Sequence, residues 1–162
     1  MTQKRLHLHW NKLFIRLTRK GWPFSVSFLN SVILDGMSLS ITSTIKTHPK
    51  HSYEAIKDAI LGKRYELSLV FIGKTRAATL NQKYRNKTYS PNVLSFPLDE
   101  RTGEIFICPQ VATSEAAKYN LSPKNYVAFL FIHGCLHLKG YDHSDTMDKL
   151  ERKYLKKFEL QK

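Results

Sequence analysis

The sequence predicts an α+β domain in which one small β-sheet packs on helices. Three observations carry that expectation. Short β-branched or alternating runs gather in the first two-thirds of the chain, at Leu39 to Ile45, Glu66 to Gly73, Val93 to Phe96 and Glu104 to Cys108. After Cys108 the pattern turns helical, and strands early with helices late place helices together against one sheet. Finally, the stretch from about residue 123 to 138 is apolar nearly all round at Tyr126 to Ile132, so that helix should run through the core.

The elements follow in order. A composition break at Asp35-Gly36-Met37 precedes the first strand, Leu39 to Ile45, whose alternation marks it as half-buried. Ser52 to Leu61 places Tyr53, Ile56, Ala59 and Ile60 on one helical stripe, and Gly62 stops it. Glu66 to Gly73 reads as a buried strand. Lys74 to Tyr84 reads as a helix with Ala77, Leu80 and Tyr84 on one side, delivering Arg85 near its end. A Ser/Pro/Asn loop over residues 86–92 leads to the short strand Val93 to Phe96. A turn at Thr102-Gly103 then opens the strand Glu104 to Cys108. Pro109 to Tyr119 is moderately amphipathic. Ser122-Pro123 supplies an N-cap and a first-turn proline for the core helix. The last helix, from Ser144, carries Asp145 and Asp148 early and lysines late, as the helix dipole favours, with Met147, Leu150, Tyr154 and Phe158 as its buried stripe.

At 162 residues and 42% hydrophobic content the chain can bury one domain's core without staples. Cys108 and Cys135 form no C-x-x-C pair and no disulfide framework, so both are expected as core thiols in a reducing compartment. The formal charge of +13 favours a polyanionic partner. Residues 1–36 read as a basic extension, with Met37 as an alternative start and residues 37–162 as a single catalytic domain. The apolar run Trp22 to Leu34 is interrupted by Pro23, Ser25, Ser27, Asn30 and Ser31, lacks a small-residue cleavage site and is too short to span a bilayer. Secretion and membrane anchoring are therefore disfavoured, and a cytoplasmic protein is expected.

The stretch His133 to His143, HGCLHLKGYDH, holds three histidines and two glycines. On a helix, His133 and His137 lie on one face a single turn apart and can grip one ion together. Gly140 can adopt the left-handed conformation that ends the helix, so that His143 returns to the same ion. Three neutral imidazoles leave a fourth tetrahedral position open, the arrangement of a catalytic zinc rather than a closed structural one, although other transition metals accept the same set. Cys135, about 200° round the helix from His133, should face the core. His7, His9, His48 and His51 read as solvated or RNA-facing. Compared with the zinc-protease pattern H-E-x-x-H-x-x-G-x-x-H, one position differs: the glutamate base is replaced by Gly134.

This stretch resembles the H-G-x-L-H-L-x-G-Y-D-H signature of the YbeY family of bacterial endoribonucleases. The likeness extends through Leu80-Asn81-x-x-Tyr84-Arg85, Asn92-Val93-Leu94-Ser95-Phe96-Pro97 and Gly103-Glu104-Ile105-x-Ile107-Cys108, over about residues 37–160. The resemblance implies a small mixed sheet with helices, related to the zinc-protease (metzincin-like) architecture. It implies one zinc ion per chain, held by His133, His137 and His143, with Arg85 as the functionally important arginine. It also implies a single-strand-specific endoribonuclease acting in rRNA processing, notably 16S rRNA 3′-end maturation, and in ribosome quality control, with ribosomal RNA and the ribosome or its subunits as partners. Thr88, Ser90 and Pro91 depart from the family's usual aspartate, proline and threonine, and residues 1–36 lie outside the pattern.

Chemistry fits that implication. Phosphoryl transfer needs cationic clamps more than a glutamate base, and Arg85 offers bidentate donors. Ser95, Asn92 and Asp142 are candidates to line the site, Asp142 alternatively orienting a ligand histidine. Lys83, Arg85 and Lys87, interleaved with Tyr84 and Tyr89, suit a single-stranded RNA track. Arg152-Lys153 with Lys156-Lys157 reads as a solvated face. Two competing readings remain open: a ribosome-assembly or RNA-binding factor with a mainly structural zinc site, and a zinc protease.

Overall fold

The structure, a computed structural model, describes residues 38–161. The basic extension with His7 and His9, and the alternative start at Met37, lie outside the described residues. Strands β1 (Leu39–Ser43), β2 (Glu66–Phe71), β3 (Val93–Pro97) and β4 (Thr102–Ile107) form one sheet in the order β1-β2-β4-β3. β1 and β4 both run parallel to β2, whereas β3 is antiparallel to β4, so the sheet is mixed. The helices are α1 (Tyr53–Leu61), α2 (Lys74–Arg85), α3 (Pro109–Glu115), α4 (Pro123–Leu138) and α5 (Asp145–Lys157).

Strand alternation divides the core in two. Leu67, Leu69, Phe71, Val93, Ile105 and Ile107 face α1, α4 and α5, while Val70, Leu94, Phe106 and Cys108 face Ala77 and Leu80 of α2. α4 packs on α1, α3, α5, β3 and β4. That accounts for a helix buried without interruption from Tyr126 to Leu136, which the amphipathic rule for surface helices would not produce. The Ser122 hydroxyl accepts from the Asn125 amide at 3.2 Å and starts α4; Ser144 accepts from the Met147 amide at 3.3 Å and starts α5.

Two expectations need adjusting. Thr102 and Gly103 are the first residues of β4 rather than a turn, Gly103 pairing with Pro97. The reversal lies at Leu98 to Arg101, closed by the Leu98 and Asp99 amides donating to the Thr102 carbonyl. The helix predicted over Pro109 to Tyr119 tightens into a 3₁₀ turn at Ala116–Tyr119, ended by left-handed Asn120.

Candidate metal centre

α4 and α5 form an antiparallel hairpin, and the three histidines converge at its mouth. His133 and His137 bring their Nε2 atoms to 3.0 Å, with ring centroids 4.5 Å apart. The intervening turn returns His143 to 5.1 Å and 4.7 Å from the rings of His133 and His137. One ligand nitrogen from each lies within 4.8 Å of the others.

The backbone makes this return by a Schellman motif. Gly140 has φ +97°, the Tyr141 amide donates to the Leu136 carbonyl at 3.1 Å and the Gly140 amide to the His137 carbonyl at 2.9 Å. A side chain at that φ would be strained, which is why glycine serves here. The same turn gives the site a second service: the Tyr141 carbonyl accepts from His137 Nδ1 at 2.9 Å. On the other side, Glu151 Oε1 of α5 lies 2.6 Å from His133 Nδ1. Both Nδ1 atoms are thereby occupied, so both Nε2 atoms turn inward.

Glu151 escaped the sequence reading. The signal was present, because it lies four residues after buried Met147 and one turn before Leu155, a charged residue on the helix face that packs inward. Asp142, the acid expected there, is exposed and acts at longer range, favouring the charged forms of His137 and His143.

Burial dominates the electrostatics. It holds His133 down to about 4 and His137 down to about 3, the latter also opposed by the neighbouring histidines; His143 is lowered as well. All three are therefore neutral imidazoles at neutral pH, the form that binds a metal. Burial, with Asp148 nearby, lifts the Glu151 carboxyl up to about 7. Three converging neutral nitrogens backed by a carboxylate and a carbonyl fit one transition-metal ion. His143 is exposed, so the cluster opens to solvent on its side.

Gly134 has a packing reason. A Cβ there would meet Ile105 of β4 at 3.0, 3.3 and 3.4 Å, and Ile105 is wholly buried. The position faces the sheet and has no room for a glutamate. Cys135 is buried in the core as expected, its thiol pushed well up by desolvation.

Arg85, the last residue of α2, is on the opposite side of the sheet from α4. The neighbouring Tyr84 ring packs on Phe96 at 5.1 Å, at the end of edge strand β3 whose partner β4 meets Gly134 and Leu138. Ser95 pairs with Ile105 and shares the α4-facing side of β3 with Val93. Asn92 is committed elsewhere: its Nδ2 donates to Glu115 at 2.7 Å and to the Tyr126 hydroxyl at 3.4 Å. His48 and His51 are partly buried, His48 stacked on Phe71 at 4.2 Å and His51 bonded to the Lys124 carbonyl at 2.8 Å. Tyr89, two residues after Lys87, is 52% exposed.

The family model for endoribonuclease YbeY matches residues 37–159, including all three histidines and Arg85. The chain belongs to the endoribonuclease YbeY family. It is 40% identical to the endoribonuclease YbeY of Spiroplasma citri over 113 residues, 59% of this chain and 72% of that one. It is also 40% identical to that of Mesoplasma florum over 102 residues, covering 56% and 60%. With the Neisseria meningitidis serogroup B protein it shares 41% identity over 92 residues, 50% and 54% of the two chains. These alignments span between about half and three-quarters of the YbeY relatives. The solution structure of TM1509 from Thermotoga maritima superposes with a TM-score of 0.52 at 25% identity, over 74% of this chain and 88% of that one.

Proposed function

We propose that the protein is a zinc-dependent, single-strand-specific endoribonuclease that processes ribosomal RNA in the cytoplasm, notably at the 16S rRNA 3′ end, and serves ribosome quality control. The observation that carries the reading is a solvent-open cluster of three neutral imidazoles in a chain of the endoribonuclease YbeY family. His133, His137 and His143 would hold the ion. When bound, it supplies a Lewis acid for a phosphoryl oxygen and acidifies a water molecule.

The chain's own residues do the rest. Glu151 and the Tyr141 carbonyl fix the ligand rings. Arg85 clamps a non-bridging phosphate oxygen with its paired N–H donors, and Lys87 with Tyr89 guides an unpaired strand by charge and stacking. Gly134 counts against the zinc-protease reading, since a general base at that position would displace Ile105. The exposure of His143 counts against a closed structural site. The spacing of His133, His137, Gly140 and His143 supports a relationship to the metzincin-like architecture.

The test is chelation. Stripping the metal should abolish cleavage of a single-stranded rRNA precursor, zinc should restore it, and a fully paired substrate should resist throughout. Undiminished cleavage by the stripped protein would contradict the proposal.

A further inference from the structure

Helix α5 has two faces with different work. Met147, Leu150, Glu151, Tyr154 and Leu155 turn inward, and Glu151 reaches His133. Lys149, Arg152, Lys153, Lys156 and Lys157 are all exposed. Their spacing of i, i+3, i+4, i+7 and i+8 puts them on one arc of about 140°, along about 12 Å of helix axis. None of the five is in an ion pair among the described residues. We propose that this outer face of α5 binds the phosphate backbone of a base-paired RNA segment flanking the cleavage site. The inference rests on the proposed RNA substrate, and it adds a surface that the single-stranded track does not include.

Three features select paired RNA over other polyanions. Large exposed apolar side chains among the described residues are Ile41, Tyr89 and Leu98, none of them on α5, and Phe158 is half-buried beneath Lys157 at 5.7 Å. The face therefore lacks the stacking platform that unpaired bases need, whereas duplex RNA is read through phosphates and shape. The apolar side of α5 is spent on the core, leaving nothing to insert into a lipid surface. Four of the five cations are lysines, a residue depleted from protein interfaces and well suited to phosphates as a mobile point charge. The thickness of one helix, about 10 Å, separates this face from the histidines. A stem docked outside thus delivers its single-stranded flank toward the hairpin mouth.

The test uses the full chain with Lys149, Lys153, Lys156 and Lys157 changed together to glutamine; Arg152 is kept because its charge reaches Glu151. Binding is measured by fluorescence anisotropy, in chelator so that nothing is cut, to a short RNA stem with a single-stranded 3′ tail and to the tail alone. The stem–tail RNA should bind at least about tenfold more weakly at 0.1 M salt, and its log–log salt slope should shrink by about 3, since each phosphate no longer neutralised removes about 0.7–0.9. Binding of the tail alone should stay as in the parent, and so should cleavage of an unstructured oligonucleotide. Replacing the same four lysines by arginine should preserve stem binding. An unchanged stem affinity and slope would reduce the face to a solvated one and overturn the proposal. So would an equal loss on the tail alone, or a loss confined to anionic phosphatidylglycerol vesicles. The readouts separate two failures: an inactive parent that still binds the stem through α5 sinks the nuclease reading, while an active parent with α5-independent stem binding sinks this one.

Discussion

Replacing Glu151 with glutamine should move metal affinity and metal-free stability in opposite directions. With metal, the carboxylate 2.6 Å from His133 Nδ1 orients that ring and raises its basicity. Losing such a partner typically weakens metal binding by about 10- to 100-fold, or about 1.4–2.7 kcal/mol. Glutamine, whose oxygen still accepts a hydrogen bond, belongs at the low end and Glu151→Ala at the high end. Without metal the sign reverses. Burial lifts Glu151 from 4.5 to about 7, so its contribution to stability is full below 4.5 and is lost as the pH rises through 7. At pH 8 the metal-free fold carries an ionised buried carboxylate at a penalty of roughly 3 kcal/mol, which glutamine removes. Urea denaturation in chelator should therefore find Glu151→Gln the more stable protein at pH 8 and the two alike at pH 4. Competition with a chromophoric chelator should find it the weaker metal binder. Metal affinity within twofold of the parent, or equal metal-free stability at pH 8, would refute this reasoning.

Other predictions follow the same geometry. Arg85→Ala should lower kcat on single-stranded RNA by about 10²- to 10³-fold while leaving metal content intact, with Arg85→Lys recovering part of the loss; a change confined to KM would argue for mere tethering. Gly134→Ala should be tolerated within about 2 kcal/mol, because the helix propensity gained, up to about 1 kcal/mol, opposes crowding against Ile105. Gly134→Glu should not fold stably, since it buries an unpaired carboxylate; a folded variant with peptidase activity would show the packing argument wrong. In Glu151→Gln, His133 and His137 should contribute no loss of metal affinity between pH 7.5 and 5.5, because burial keeps them neutral down to about 4 and 3, so any fall should be shallow and come from the more exposed His143. In the parent metal affinity should fall modestly as Glu151 takes up its proton. A steep fall in the variant would mean that the buried pair His133 and His137 titrates in that range.

The pattern of side chains announced the sheet, the core helix and the three converging histidines. Period-two strands, the Ser122-Pro123 cap and the fixed gaps between His133, His137, Gly140 and His143 are all local features, and local features survive into the fold. What stayed hidden depends on distant segments or on the backbone. Glu151 meets His133 because α5 folds back antiparallel on α4, and no spacing along the chain states that pairing. The Tyr141 carbonyl carries no side-chain signal at all. Gly134, read as a missing catalytic base, acquires its packing reason only when β4 brings Ile105 beneath it. Asn92 and His48 looked available as polar residues in loops, yet tertiary contacts with Glu115 and Phe71 claim them.

The central claim, that His133, His137 and His143 hold one metal ion on which RNA cleavage depends, is tested most directly by elemental analysis of the purified protein and its His137→Ala variant. Each preparation is assayed alongside on single-stranded rRNA precursor. The parent should hold one equivalent of zinc and cleave the RNA, and the variant should do neither. A metal-free His137→Ala protein that cleaves at the parent rate would contradict it.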